Sequence, residues 1–355
     1  MLKLPVGIET FSEIQEEEYI YIDKTHYIHK IATEGKTYFL SRPRRFGKSL
    51  LLSTIEELFK GNKKLFKELY IYDKWNWNEK YPVITINLGG GKYNTLDNME
   101  NTLKEILNNL ALDYDIRLEN TIASQRFGEL IKKIYKQNNQ KVVVLIDEYD
   151  QPIISNLQNK DLNRFQEDLG SFYQTLKTND RFIKFIFITG VSKLGKIGDF
   201  AELENLRFSK FAHVSVFSKL NNLRDVSLID EFNGICGYSQ EDLEDNFQEY
   251  IQKLANKFEY SYNDALNEVK EFYNGYSWNG EEKIYNPFST LLCFIESDFV
   301  YEWFNSGTPS VLANYPMSTR SVKALAEPSI VSYNELKNAT TEDIKDEILL
   351  FQLVI

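Results

Sequence analysis

Cysteine is nearly absent from this chain. Cys236 and Cys293 are the 2 cysteines in 355 residues, far apart, which excludes a disulfide framework and points to a reducing, cytoplasmic setting. Histidine is as scarce, and His26, His29 and His213 join neither cysteine in a metal-ligand spacing. Long apolar runs are missing too. No stretch approaches the roughly 20 apolar residues of a membrane span, and the opening "MLKLPVGIETFSEIQEEE" lacks the apolar centre of a signal peptide, so a soluble protein with no membrane contact is expected. Basic charge is in deficit. With 41 Lys+Arg against 52 Asp+Glu the net charge is −11, which argues against a surface built to coat nucleic acid and leaves room only for a local basic groove. Apolar residues, at 43%, and aromatics, at 14%, are plentiful enough for sizeable packed cores, and the length allows two or three domains.

The periodicities alternate. Residues 37 to 41 read as a short apolar strand, followed by a tight turn and a helix with Leu51, Leu52, Ile55, Leu58 and Phe59 on one face, stopped at Gly61. A second strand, "YPVITINL" (81 to 88), leads through Gly89-Gly90-Gly91, read as a flexible loop, to a helix near 97 to 112, where Asp97 and Glu100 have capping-box spacing. Another amphipathic helix spans 125 to 137. The run "KVVVLIDEYD" (141 to 150) is expected to be a strand buried on both faces, with Pro152 at its exit. Leu162, Phe165, Leu169, Phe172, Tyr173 and Leu176 recur at helical spacing, and "FIKFIFITG" (182 to 190) reads as a fourth buried strand. This order predicts an α/β protein with a parallel sheet covered by helices on both faces. Beyond about residue 236 the pattern turns to helices rich in acidic and aromatic residues, with "YSQEDLEDNFQEY" (238 to 250) as a solvated helix face. A boundary between about 225 and 240 therefore divides a domain of residues 1–230 from a smaller, mainly helical one of residues 231–355.

Two features stand outside this pattern. "SKLGKIGDFAELENLR" (192 to 207) aligns with "SKFAHVSVFSKLNNLR" (209 to 224), sharing Ser, Lys, Phe, Leu, Asn, Leu and Arg, as a local tandem duplication too short for a solenoid. The final "EILLFQLVI" is nearly all apolar, unlike a solvated terminus.

The chemistry centres on "SRPRRFGKSL" (41 to 50). A phosphate loop works because backbone N–H groups at a helix start converge on anionic oxygens. Lys48 would reach the terminal phosphates and the Ser49 hydroxyl would ligate Mg²⁺. Arg42 stands where such a loop usually opens with glycine, Arg44 and Arg45 add charge, Pro43 stiffens the turn, and Gly47 is kept where backbone must approach phosphate. Taken alone, the stretch is equally a basic surface turn. "VVVLIDE" tips the balance. Asp147, ending a buried strand, is placed to hold Mg²⁺ through water, and Glu148 to polarise an attacking water. The bland alternative is a loop start whose carboxylates cap a helix. Thr189, ending the fourth strand, touches the water or the γ-phosphate if that strand lies between the other two; otherwise its hydroxyl bonds local backbone. Asp150 reads as a turn residue, with a supporting place behind the metal ligands as the alternative.

With these residues in place, the chain resembles the bacterial AAA-ATPase-like family, P-loop ATPases in which "RPRRFGKS" replaces the glycine-rich loop. The resemblance rests on "YIYIDKT" (19 to 25), whose default role is a core strand, "SRPRRFGKSL", "YPVITI" (81 to 86), "VVVLIDEYDQPI" (142 to 153), "ITGVSK" (188 to 193), "VFSKLNNL" (216 to 223), and "FYNGYSW" with "YNPFS" (272 to 289). It implies a P-loop NTPase fold with Walker A and Walker B motifs. It also implies ATP bound around Arg42, Arg44, Arg45, Phe46, Gly47, Lys48 and Ser49, Mg²⁺ at Ser49 and Asp147, and Glu148 as the catalytic carboxylate with Thr189 beside it. Two departures accompany it. Residues 194 to 210 look like an insertion after the fourth strand. Many members continue into a PD-(D/E)XK-type nuclease domain, and this sequence stops about where one would begin. Triplets such as Glu268-Val269-Lys270 lie in helical sequence without a preceding strand aspartate, so nuclease activity is not expected.

The resulting expectation is a Mg²⁺-dependent ATPase, a hydrolase coupling ATP turnover to conformational change, with a protein partner or DNA as what it acts on. The rivals are a nucleotide-binding switch or scaffold with little hydrolysis, and a truncated remnant of an ATPase-nuclease.

Overall fold

The computed structural model describes residues 2–157, 159–191 and 223–299. Most of the tandem repeat, the expected insertion at 194 to 210 and the apolar end "EILLFQLVI" lie outside the described residues.

Strands β1 (Thr37–Ser41), β2 (Val83–Asn87), β3 (Val142–Asp147), β4 (Ile183–Gly190) and β5 (Arg224–Asp225) form one sheet in the order β2-β3-β4-β1-β5, and every pairing is parallel. The reason is legible in β3. Successive side chains leave a strand on opposite faces, so Val142, Val144 and Ile146 enter one apolar cluster while Val143 and Leu145 enter another. Both faces are thus apolar and both need cover.

Helices supply it. The first cluster is closed by α4 (Leu96–Asp113), α5 (Ala123–Asn138), the single turn α6 (Gln151–Ile154) and α7 (Leu162–Thr178), through Leu103, Leu107, Phe127, Ile131, Ile153, Phe165 and Leu169. The second is closed by α1 (Phe11–Glu16), α2 (Thr25–Glu34) and above all α3 (Lys48–Lys60), which buries Leu51, Leu52, Ile55, Leu58 and Phe59. Gly61 ends α3, as expected from the sequence. After β5 come α8 (Gln240–Asn246), α9 (Gln248–Phe258) and α10 (Tyr262–Tyr273), the hairpin β6 (Asn274–Tyr276) with β7 (Ile284–Tyr285), and α11 (Pro287–Glu296).

Three local expectations are corrected. The cap of α4 is Thr95, whose hydroxyl accepts from the Asn98 N–H at 3.1 Å, so Asp97 falls inside the first turn, and Glu100 accepts instead from the Ala123 N–H. Residues 238 to 250 are not one solvated helix face: Ser239 and Asp242 form a capping box opening α8, and Phe247, fully buried, separates it from α9. "YIYIDKT" is no sheet strand. Tyr19 makes an isolated bridge to Lys3, and Ile20 and Ile22 pack with Leu4 into a third cluster, against Leu243, Phe247, Ile251 and Phe294. Asp23 accepts from the Thr25 N–H and from the Tyr70 N–H, and Lys24 pairs with Asp242. The beginning of the chain is therefore packed on the helices that follow the sheet. No described helix is long and apolar enough to cross a membrane.

Candidate functional site

β4 lies between β1 and β3, so the C-terminal ends of three buried strands meet. Leu40 faces Thr189, Ser41 faces Gly190, and Ile146 faces Ile188, which sets Asp147 level with Thr189. The Arg42 N–H still donates to the Gly190 carbonyl at 3.1 Å, and from there the chain leaves the sheet. It re-enters regular structure at Gly47, the N-cap of α3. Gly47 sits at φ +85, a left-handed conformation that favours glycine, and a methyl placed on it would meet nothing within 4 Å. Among the described residues, no backbone N–H from Arg44 to Leu50 donates to a protein acceptor. A helix start with free amides and open space before it suits an anion.

The acidic side is fixed by hydrogen bonds. Asp147 is almost fully buried; its Oδ2 accepts from the Ser49 hydroxyl at 2.6 Å, and its Oδ1 accepts from the Thr189 hydroxyl at 2.5 Å and from the Glu148 N–H at 2.9 Å. Three donors on one carboxylate hold it in one orientation. Thr189 is thereby corrected: its hydroxyl is engaged by Asp147, with no exposure, and does not face the cleft where water or a γ-phosphate would lie. The bond holds the Asp147 carboxylate against the end of β4.

Glu148 takes φ +50, so its side chain swings away from the strand direction. Its carboxylate lies over the Gly89 backbone, where a methyl on Gly89 would come within 2.5 Å of Oε2. Burial raises its pKa, Asp147 and Asp150 add to the rise, and Lys48 and Arg44 oppose it. Lys48 is buried as well, which lowers its pKa against the pull of Asp147 and Glu148; its ammonium donates to the Pro43 carbonyl at 2.9 Å.

The three arginines part company. Arg44 borders the cleft and donates to Gln151 Oε1 at 3.0 Å. Arg45, at φ +70, is exposed with its guanidinium 4.5 Å from the Phe288 ring centre. Arg42 does not face the cleft, which corrects its expected place in a nucleotide site. It is 1% exposed, donates to the carbonyls of Ser41, Ser227 and Phe232, and stacks 4.4 Å from the Trp278 ring. Burial pushes its pKa down to about 10, still cationic at neutral pH. Phe46 is corrected likewise: its buried ring packs edge-on against Tyr276 and Trp278, and the residue does not line the cleft. Residues 42, 45 and 46 are thus each clasped by an aromatic side chain from 276 to 288.

The cleft has a volume of about 430 Å³. Arg44, Arg45, Gly47, Lys48, Ser49 and Glu148 line it, together with Gly89. Its opposite wall was not legible from spacing: Pro5, Ile8 and Glu9 come from the first residues of the chain, and Tyr238, Phe288 and Leu291 from the helices after the sheet. The motif "YNPFS" held a clue. Asn286 caps α11 by accepting from the Ser289 N–H, with Pro287 next, a start that presents Phe288 half-exposed. Both cysteines are buried, and burial pushes the Cys236 thiol up to about 11 and Cys293 to about 12, so neither is a reactive thiol.

A parallel sheet whose first strand turns through a left-handed glycine into a helix, beside an acidic strand end, defines an α/β protein of the P-loop type. More narrowly, the chain belongs to the AAA-ATPase-like family: the family model described as predicted AAA-ATPase matches residues 5–200. It is also 36% identical over 352 residues to an uncharacterized protein in the vnfD 5' region of Azotobacter chroococcum mcd 1. That match covers 99% of this chain and 63% of the relative, so the chain spans less than two thirds of the relative's length. A family so described points to nucleotide binding and ATPase chemistry.

Proposed function

We propose that the chain binds ATP with Mg²⁺ at the Gly47–Ser49 helix start and hydrolyses it. The observation that carries this reading is the chain of hydrogen bonds from Ser49 through Asp147 to Thr189, set beside free helix-start amides, with Lys48 and Glu148 at the same cleft. Ser49 Oγ and Asp147 Oδ2, 2.6 Å apart, offer a hard-oxygen pair of the kind Mg²⁺ takes alongside phosphate and water. Ser49 and Asp147 would hold the ion, and phosphate and water would supply its other ligands. The ion, when bound, neutralises charge developing on the phosphates. Lys48 leaves the Pro43 carbonyl to meet the terminal phosphates, and Glu148, its proton affinity raised by burial, accepts hydrogen bonding from the attacking water.

One observation favours the rival switch: the Lys48 ammonium is engaged by its own loop, so nucleotide must displace that contact and rearrange the turn. Phosphate release decides between them, measured with and without DNA. Glu148→Gln is expected to cut turnover by about 10²-fold or more while leaving ATP affinity within a few fold. Unchanged turnover in that variant removes Glu148 from the reaction, and negligible turnover of the unaltered chain under both conditions favours the switch.

A further inference from the structure

We propose that the groove between α5 and α7, on the face of the sheet opposite α3, holds the sugar–phosphate backbone of a nucleic acid. It shares no residue with the cleft at the phosphate loop. The groove measures about 670 Å³ and is bordered by Gln125, Glu129, Lys132 and Lys136, which share one face of α5, and by Ser171, Gln174 and Thr178 of α7. No aliphatic or aromatic side chain is among its lining residues. Neither an apolar small molecule nor the apolar stripe of a partner helix therefore finds a counterpart there.

Its charge runs against that of the molecule. Lys132, Lys133 and Lys136 face Glu129 as the one acid of the lining, in a chain whose net charge is −11. Glu129 is already engaged: its carboxylate accepts from the Glu119 and Asn120 N–H groups at 3.0 Å each and pairs with Lys133 at 2.7 Å. Lys132 and Lys136 are different. Both are exposed, and among the described residues neither has an ion pair or a hydrogen bond. They stand one helical turn apart, about 6 Å along the axis, where like charges repel and where neighbouring phosphates of one strand could meet both. Gln125, exposed, and Gln174, half-buried, also keep their amide donors uncommitted, whereas the Ser171 and Thr178 hydroxyls donate to carbonyls of their own helix. Lysine and amide donors in a polar channel are the groups that proteins present to phosphate oxygens, contacts that fix position without reading sequence. The channel exists before any ligand arrives. The Thr175 hydroxyl donates to the Ser124 carbonyl at 3.1 Å across the two helices, and Gly128 lets them approach, since a methyl on it would come 3.1 Å from Asn179 Nδ2.

The test is a fluorescence-anisotropy titration of a labelled 30-base-pair DNA duplex of arbitrary sequence with the whole chain, without nucleotide, at a series of salt concentrations. The unaltered chain is expected to bind with a dissociation constant between about 1 and 100 µM at physiological salt, weakening as salt rises. Lys132→Gln combined with Lys136→Gln should weaken binding by about tenfold or more at low salt and make the slope of log affinity against log salt shallower by about 2. Lys64→Gln combined with Lys270→Gln removes the same charge from exposed lysines elsewhere and should change affinity by less than about twofold. Gln174→Ala should act in the same direction as the groove lysines by a smaller factor, and an unchanged melting temperature shows that each variant is folded. No binding of the duplex by the unaltered chain at low salt overturns the proposal. So does an equal loss in the two double variants, which would make the effect one of net charge alone. Labelled polyglutamate bound as tightly as the duplex would also overturn it, in favour of an acidic protein partner.

Discussion

At the scale of single residues, the site is governed by which charges are buried and what faces them. Arg42 answers the question raised by its position at the usual opening glycine of a phosphate loop. A guanidinium in that place, directed inward, meets two carbonyls from the segment after β5 and the face of Trp278. It stiffens the turn from behind. Glu148 is the residue whose titration should be visible. Its folded pKa lies above its unfolded one, so the folded state holds the proton more tightly, and stability falls as pH rises through the window between the two values. Two outcomes follow. With Glu148 as the proposed base, which would work ionised, the acid limb of phosphate release should be shifted upward from that of an unburied carboxylate. Glu148→Gln, which removes a partly desolvated charge, should raise the melting temperature at neutral pH by about 1–2 °C, and the gain should vanish on acidification. A melting temperature lowered at neutral pH, or a gain independent of pH, would count against the burial argument.

At the scale of elements, the loop after β2 matters more than its triple glycine suggests. Tyr93 donates its hydroxyl to the Leu88 carbonyl, Asn156 donates to the Tyr93 carbonyl, and the Gly89 N–H donates to Asn87 Oδ1, so this loop is pinned at several points and not free. Gly89 carries the Glu148 carboxylate on its backbone, whereas a methyl on Gly90 would touch nothing within 4 Å. Neither has a positive φ that would itself strain an alanine. Gly89→Ala should therefore displace Glu148 and lower phosphate release by about tenfold, a loss of order 1.4 kcal/mol, with ATP affinity kept. Gly90→Ala should be silent in the same assay. Equal effects of the two substitutions would mean that loop shape, and not space for Glu148, is what the glycines supply.

For the molecule as a whole, the apolar clusters do not follow the order of the chain. The cluster beneath α3 includes Phe232, Cys236, Trp278 and Ile284 from after the sheet, and the cluster of the late helices includes Leu4, Ile20 and Ile22 from before it. Lys24 and Asp242, both largely buried, pair across the same junction. With cores shared in this way, melting should be one cooperative transition, with tryptophan fluorescence and far-UV circular dichroism coincident. Two separated transitions would instead describe residues 1–230 and 231–355 as independent units.

The sequence by itself marked the central strands, because a strand buried on both faces must be largely apolar, and β1, β3 and β4 could be located to within three residues by that run alone. A glycine-capped helix start and an acidic strand end are local patterns too, and they are what made Lys48, Ser49, Asp147 and Glu148 the candidates: Lys48, Ser49 and Glu148 border one cleft, and Asp147 bonds to Ser49 behind it. What tertiary structure decided was direction and company. Whether Arg42 and Phe46 point at the cleft or into the core, and whether the Thr189 hydroxyl faces water or Asp147, depends on groups more than thirty residues away. The opposite wall of the cleft brings residues near the chain's start together with Phe288; the "YNPFS" motif marked one side of it, but burial is satisfied in space and leaves no mark on the spacing between the two.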